Sequence, residues 1–194
     1  MYKYFLIHKP YGVLPQFTDE LNRPTLSTLF RFPKDVYPVG RLDMDSEGLL
    51  ILTNDKRLNH RLLNPRFGHE REYFVQVEGI PDEEKLAPLR SGIMIQGEKT
   101  KPAVFKLLGQ DVGIAPRNPP IRVRQNIPDY WISLTLTEGK NRQVRKMTAA
   151  VGFPTLRLIR VRIENLFLSE MKLGEVRELT KNELTLFKTA LNLP

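Results

Sequence analysis

The stretch VGRLDMDSEGLLILTND, residues 39–55, is the strongest constraint on what this chain can fold into. Three carboxylates (Asp43, Asp45 and Glu47) alternate over five residues between two glycines, and the unbroken apolar run of Gly48–Thr53 follows at once. A short apolar run bounded by turn signals reads as a strand, and Asp55 to Leu63 behind it reads as a helix. The fold must therefore place a dense acidic loop directly at the start of a core strand. Such a loop can be a metal site, a catalytic site or a polar turn.

A calcium loop is the first possibility. Acids at positions 1, 3 and 5 and Gly48 at position 6 match the opening of an EF-hand. The match then ends: position 12 should be a bidentate Glu and is Asn54, and position 7 onward is the apolar strand. A solvated turn without chemistry is a stronger alternative than calcium.

Charge elsewhere in the chain bears on the choice. The net charge is +8, yet Gly139–Ile163 holds Lys140, Arg142, Arg145, Lys146, Arg157, Arg160 and Arg162 with no acid, and Val112–Pro128 holds Arg117, Arg122 and Arg124 with none. Outside these windows the chain is slightly acidic. Clustering of this kind is the footprint of a phosphate-backbone partner, with a solvated basic face as the bland alternative. Carboxylates near such a surface weaken binding by repulsion, so an acid kept there points to a chemical role; ringed by cations it stays ionised at neutral pH.

The remaining pattern is α+β. Lys3–His8, Gly48–Thr53, the stretch EYFVQVEG with Tyr73, Val75 and Val77 on one face, and YWISLTLTEG with Ile132, Leu134 and Leu136 on one face read as strands. TLRLIRVRIENLFL is β-rich with its alternation slipping at Leu158–Ile159, where a bulge is expected. Helices are expected at Thr25–Phe30, Asp55–Leu63, Asp82–Arg90, Asn141 to about Val151, and behind the capping-box pair Thr180 and Glu183. In the helix from Asn141, Arg142, Arg145 and Lys146 share a face; cations in a first turn oppose the macrodipole and call for a phosphate or an acid nearby. The loop GQDVGIAPRNPPIRVRQNIPD carries four prolines and is long enough to expect a functional role. The chain has no cysteine, three histidines without zinc-ligand spacing, and no apolar run near 18 residues. Disulfides and thiolate metal sites are excluded, and a cytoplasmic location without membrane contact is expected.

Five motifs, in order, carry a resemblance over essentially the whole length: HKPYGVL, VGRLDMDSEGLLILTND, REYFVQVEG, EGKNRQVRKMTAAVGFPTLRLIRVRI and KLGEVRELT. They resemble the pseudouridine synthases of the RsuA/RluB/RluE/RluF family. The resemblance implies an α+β pseudouridine synthase fold, two subdomains around a central mixed, mainly antiparallel sheet with the active cleft between them. It implies a single catalytic domain over 1–194, its subdomains dividing near 64–70. Many relatives carry an RNA-binding module of the S4 type ahead of this domain; with HKP starting at His8, none is expected here.

The implied activity is isomerisation of a uridine, in 23S ribosomal RNA or its precursor, by a monomeric enzyme needing no cofactor and no metal. A synthase acting on 16S or transfer RNA, or a ribosome-associated RNA-binding protein without activity, are the alternatives. Carried over by motif, Asp43 is the catalytic aspartate, whose step is attack on C1′, addition to the base, or proton abstraction at C2′. Tyr73 matches the tyrosine that stacks on the target base, Arg145 the basic residue paired with the aspartate, and Arg41 an arginine that fills the gap left by a flipped base. RNA contacts are further expected from Lys9, Arg117, Arg122, Arg124, Lys140, Arg142 and Lys146. Asp45 and Glu47 have no family catalytic role and are expected to shape the loop.

Overall fold

In the computed structural model, residues 1–121, 127–169 and 171–194 are described. The first third forms strands β1 (Tyr4–Lys9), β2 (Tyr37–Pro38) and β3 (Glu47–Thr53), helix α1 (Lys56–Leu63) and strand β4 (Arg71–Glu78). Helix α2 (Glu83–Leu86), strands β5 (Met94–Ile95), β6 (Glu98–Lys99), β7 (Val104–Gly109) and β8 (Asp129–Leu136), and helix α3 (Gln143–Ala150) follow. Strands β9 (Thr155–Ile163), β10 (Leu166–Phe167) and β11 (Val176–Glu178) and helix α4 (Lys181–Ala190) complete the chain. Two compact units emerge: Met1–His69 with Arg160–Pro194, and Glu70–Ile159. Strands and helices occur in both, so the class is α+β.

In the first unit β1 pairs antiparallel with β3 and with β11, and β2 pairs with β3. Every residue of β3 is buried, which is why its sequence runs apolar without alternation. Phe5, Ile7, Leu50 and Leu52 face one core with Val13, Leu26 and Val36. Leu6, Leu49 and Ile51, on the opposite face by the two-residue period, are equally buried. The segment between β1 and β3 is pinned by rings: Phe5, Phe17, Phe30 and Phe32 contact one another at centroid distances of 5.0–5.8 Å. The helix expected at Thr25–Phe30 is only a single 3₁₀ turn, Leu26–Thr28.

Helix α1 starts where its sequence says. Asp55 caps it by accepting from the Arg57 and Leu58 N–H groups, and the Tyr4 hydroxyl donates to the same carboxylate at 2.8 Å. Burial and this hydrogen bond raise the Tyr4 phenol well above its ordinary pKa.

The second unit is built on β4, β8 and β7, paired antiparallel in that order with Tyr73 opposite Leu134 and Val104 opposite Thr135. Val75, Val77, Ile132, Leu134 and Leu136 form its core with Leu86, Leu89, Val144 and Met147. The helix expected over Asp82–Arg90 stops at Leu86 and continues as a 3₁₀ turn, because Pro88 has no N–H for the Glu84 carbonyl. β5 and β6 form a hairpin whose two-residue turn, Gln96-Gly97, has both φ angles positive. The boundary between units falls inside β9, and there Arg157, Leu158, Ile159 and Arg160 are all buried.

Helix α4 begins with the capping box: the Thr180 side chain accepts from the Glu183 N–H, and Glu183 accepts from the Thr180 N–H. Arg177 adds a bidentate pair to the same Glu183 carboxylate at 2.6 and 2.9 Å. The Arg177 hydrogen bonds chiefly, and those at Thr180, hold Glu183 at about 2, below its ordinary 4.5. A depressed carboxyl pKa contributes stability above about 4.5 that is lost as pH falls toward 2. Glu183→Gln should therefore lower unfolding free energy by about 1–2 kcal/mol at pH 7. In urea titrations the gap from the parent protein should narrow below pH 4.5; a gap independent of pH would contradict this origin.

Candidate active site

The acidic loop is held by the first motif. The Gly12 N–H donates to the Met44 carbonyl at 2.8 Å, and the Ser46 N–H closes a turn onto the Asp43 carbonyl at 3.0 Å. Lys9 sits opposite Gly48 in the β1–β3 register. Gly48 has φ +107°, and a Cβ there would stand 2.3 Å from the Arg160 carbonyl oxygen, so only glycine lets the loop press against β9. The fifth motif closes the other side: His8 Nδ1 meets the Met171 carbonyl at 2.9 Å, and the Gly174 N–H donates to the His8 carbonyl. Motifs one, two and five thus converge in the first unit.

The three carboxylates are not equivalent. Glu47 is 1% exposed, whereas Asp43 and Asp45 are half-buried. Among the described residues no three carboxylate or imidazole groups are placed to hold a metal ion.

Lys9 departs from the sequence expectation. It is fully buried, and its ammonium donates to the Val13 carbonyl at 2.7 Å and the Pro10 carbonyl at 2.9 Å. Burial lowers its pKa to about 8 against the opposing pull of Glu47, Asp45 and Asp43. A side chain so placed cannot meet RNA directly; it fixes the turn that carries the loop. Arg41, by contrast, is exposed, two residues before Asp43.

The second unit holds the other motif residues. Tyr73 lies half-buried on β4 against the core. Arg145, in the first turn of α3, comes within 3.5 Å of the Thr155 carbonyl oxygen. The acid that a basic helix start demands is Glu138, 8% exposed, which accepts from Gln143 Nε2 and from the Lys101 N–H at 2.8 Å or less. Gln143 in turn accepts from the Lys140 N–H. Arg142 takes a left-handed backbone at φ +51° in this turn, a strained conformation for a residue with a side chain.

Lys140 and Lys146 are steered by the hairpin, donating to Glu98 at 2.6 Å and Gln96 at 2.7 Å. Sequence reading missed Glu138, Gln143 and the hairpin, although a lone acid just past a strand and before a cationic turn was a usable signal. Arg117 folds onto its own loop, donating to the Pro119 and Pro120 carbonyls. Arg122 and Arg124 lie outside the described residues. The basic windows also need correcting, since Arg157 and Arg160 are 6% and 4% exposed and donate to the Ala115 and Leu49 carbonyls.

Residues 3–150 match the family model for RNA pseudouridylate synthase. The chain belongs to this family, and it is an isomerase that converts uridine in RNA to pseudouridine. It is 54% identical to the ribosomal large subunit pseudouridine synthase E of Xanthomonas axonopodis pv. citri, over 81% of this chain and 84% of that one. It is 46% identical to the protein of the same name from Vibrio vulnificus, over 92% and 75%. A crystal structure of pseudouridylate synthase shares the fold with a TM-score of 0.78 at 31% identity, covering 95% and 73% of the two chains. The resemblance carried by the five motifs and the expected fold class are both borne out.

Replacing Lys9 tests its structural role. Lys9→Met leaves the Pro10 and Val13 carbonyls without their donor and Glu47 buried without this cation, which should cost about 3–5 kcal/mol. The pH dependence has a definite sign. A lysine whose folded pKa lies below its unfolded value binds fewer protons when folded, so stability rises as pH increases from about 8 to 10.5. Urea midpoints across that window should show this rise in the parent and not in Lys9→Met. The same slope in both would place the titration elsewhere.

Proposed function

We propose that this isomerase modifies a uridine of 23S ribosomal RNA or its precursor, as a monomer in the cytoplasm. The observation that carries the target is the likeness, at 45–54% identity, to four proteins named ribosomal large subunit pseudouridine synthase E. Within the reaction the C1′–N1 bond breaks, the uracil turns, and C1′ bonds to C5; the proton leaving C5 is matched by one gained at N1, so the balance closes without a second substrate. A uracil cannot turn while stacked, so the target nucleotide is flipped out.

Asp43 is proposed as the carboxylate that acts on the nucleotide, Tyr73 as the ring that stacks on its base, and Arg145 as the basic residue that the family pairs with the aspartate. Arg41 fills the place of the flipped base, and Lys140, Arg142, Lys146, Arg117, Arg122 and Arg124 meet phosphates. Its setting supports Asp43 over Glu47, since Asp43 is half-buried on a fixed loop while Glu47 is enclosed beside Lys9; over Asp45, equally half-buried, the support is the position of Asp43 in the motif.

Asp43→Asn keeps the size of the side chain and removes its charge and basicity. Tritium release from 5-tritiated uridine in large-subunit RNA should fall below detection, a loss beyond the ~10²–10⁴ of a single acid–base contribution. RNA affinity should hold or tighten, because a negative charge facing phosphates is gone. Asp45→Asn is the matched control and should keep most activity; Glu47→Gln is not, since it changes a buried charge. Release that persists in Asp43→Asn and vanishes in Asp45→Asn would assign the chemistry to Asp45.

A further inference from the structure

From Lys56 through His69 the chain carries Lys56, Arg57, Arg61 and Arg66, two histidines and no acid. This is a third basic window, and it lies in the first unit with Asp43. Two of its cations are engaged within that unit. Arg61 lies 3.8 Å over the Phe67 ring and donates to the Leu191 carbonyl, and Arg57 sits over Tyr2 while approaching Asp55. Lys56 and Arg66 are exposed and have no ion-pair partner among the described residues.

Along α1 runs an open groove of about 410 Å³ lined by Lys56, Asn59, His60, Leu63 and Asn64. Its apolar part is Leu63, 43% exposed. The Asn59 amide oxygen is buried and has no hydrogen-bond partner among the described residues, so turning that amide into the groove against a base N–H would satisfy it. The segment leading to Asp43 borders this groove, because a Cβ on Gly40 would stand 2.9 Å from Leu63 Cδ2. Arg41, exposed, follows Gly40 directly.

We propose that this groove holds a second nucleotide of the substrate RNA, beside the target uridine in the bound strand, with its base on Leu63 and the Asn59 amide and its phosphate on Lys56. A lining with one cation, Lys56, and no acid favours an anionic ligand. An exposed aliphatic surface flanked by amides and an imidazole offers an unstacked base an apolar face with hydrogen-bonding groups at its edge. The volume is that of a small-ligand site. The proposal rests on the family activity toward RNA, and it makes α1 a specificity element that leaves the chemical step alone.

Steady-state turnover of 5-tritiated large-subunit RNA tests it with three variants: Lys56→Ala/Asn59→Ala/His60→Ala, Lys56→Gln alone, and Lys181→Ala as an exposed charge loss on α4. The triple variant should raise KM about tenfold with kcat changed by less than about twofold, the loss of one base contact. Lys56→Gln, a surface change that spares the fold, should flatten the log–log salt dependence of binding by about 0.7–0.9, one phosphate contact. Lys181→Ala should alter neither. Groove variants indistinguishable from Lys181→Ala in KM and salt slope overturn the proposal. If the parent protein instead turns over only 16S or transfer RNA, the target assignment fails, and the same KM comparison on that RNA decides the groove.

Discussion

A fully buried ammonium beneath an acidic loop is the constraint on which the first unit depends. Burying the charge of Lys9 is costly unless its hydrogen bonds and its field are both matched. The Pro10 and Val13 carbonyls supply the first, and Glu47, Asp45 and Asp43 supply part of the second, burial still holding the pKa at about 8. The turn after β1 and the loop before β3 must therefore form together, and the Gly12–Met44 bond and the close approach of Gly48 to β9 lock them in register. An acting carboxylate needs this: its geometry is set before the substrate arrives, and little conformational freedom remains to be lost. All three acids of the motif pull on Lys9, and the role proposed for Asp43 rests on the loop they share.

In the second unit the logic is reversed, with acids and amides organising cations. Glu138 and Gln143 hold the turn into α3, and Glu98 and Gln96 hold the ammonium groups of Lys140 and Lys146 at its rim. Clustered cations repel one another, and the Glu98 carboxylate offsets part of that repulsion while the Gln96 amide oxygen orients Lys146. The strained backbone of Arg142 belongs to the same turn.

Much of this was legible in the sequence, for physical reasons that differ by element. β3 could be read because a strand buried on both faces must be apolar throughout; α1 and α4 could be read because Asp55 and the Thr180–Glu183 pair satisfy backbone donors that any helix start leaves open. β7 and the β5–β6 hairpin were missed: VFKLLG alternates weakly, and the turn uses Gln-Gly where Asn-Gly would have announced it. The helix before Pro88 was read too long. Charge was the least legible quantity. Lys9, Arg157 and Arg160 look in the sequence like surface cations; the carbonyl of Val13 in the following turn, and those of Ala115 and Leu49 far along the chain, receive them in the interior. The family was readable because five motifs occur in order, whereas the spacing of the acidic motif alone left metal, chemistry and plain turn all open.

The most direct measurement is a map of pseudouridines in the ribosomal and transfer RNA of cells lacking this gene, restored with either the parent chain or Asp43→Asn. The structure and the family together predict that one 23S uridine loses its modification on deletion, regains it with the parent chain, and does not regain it with Asp43→Asn. A modification lost from 16S or transfer RNA instead, or restored in full by Asp43→Asn, would contradict the account.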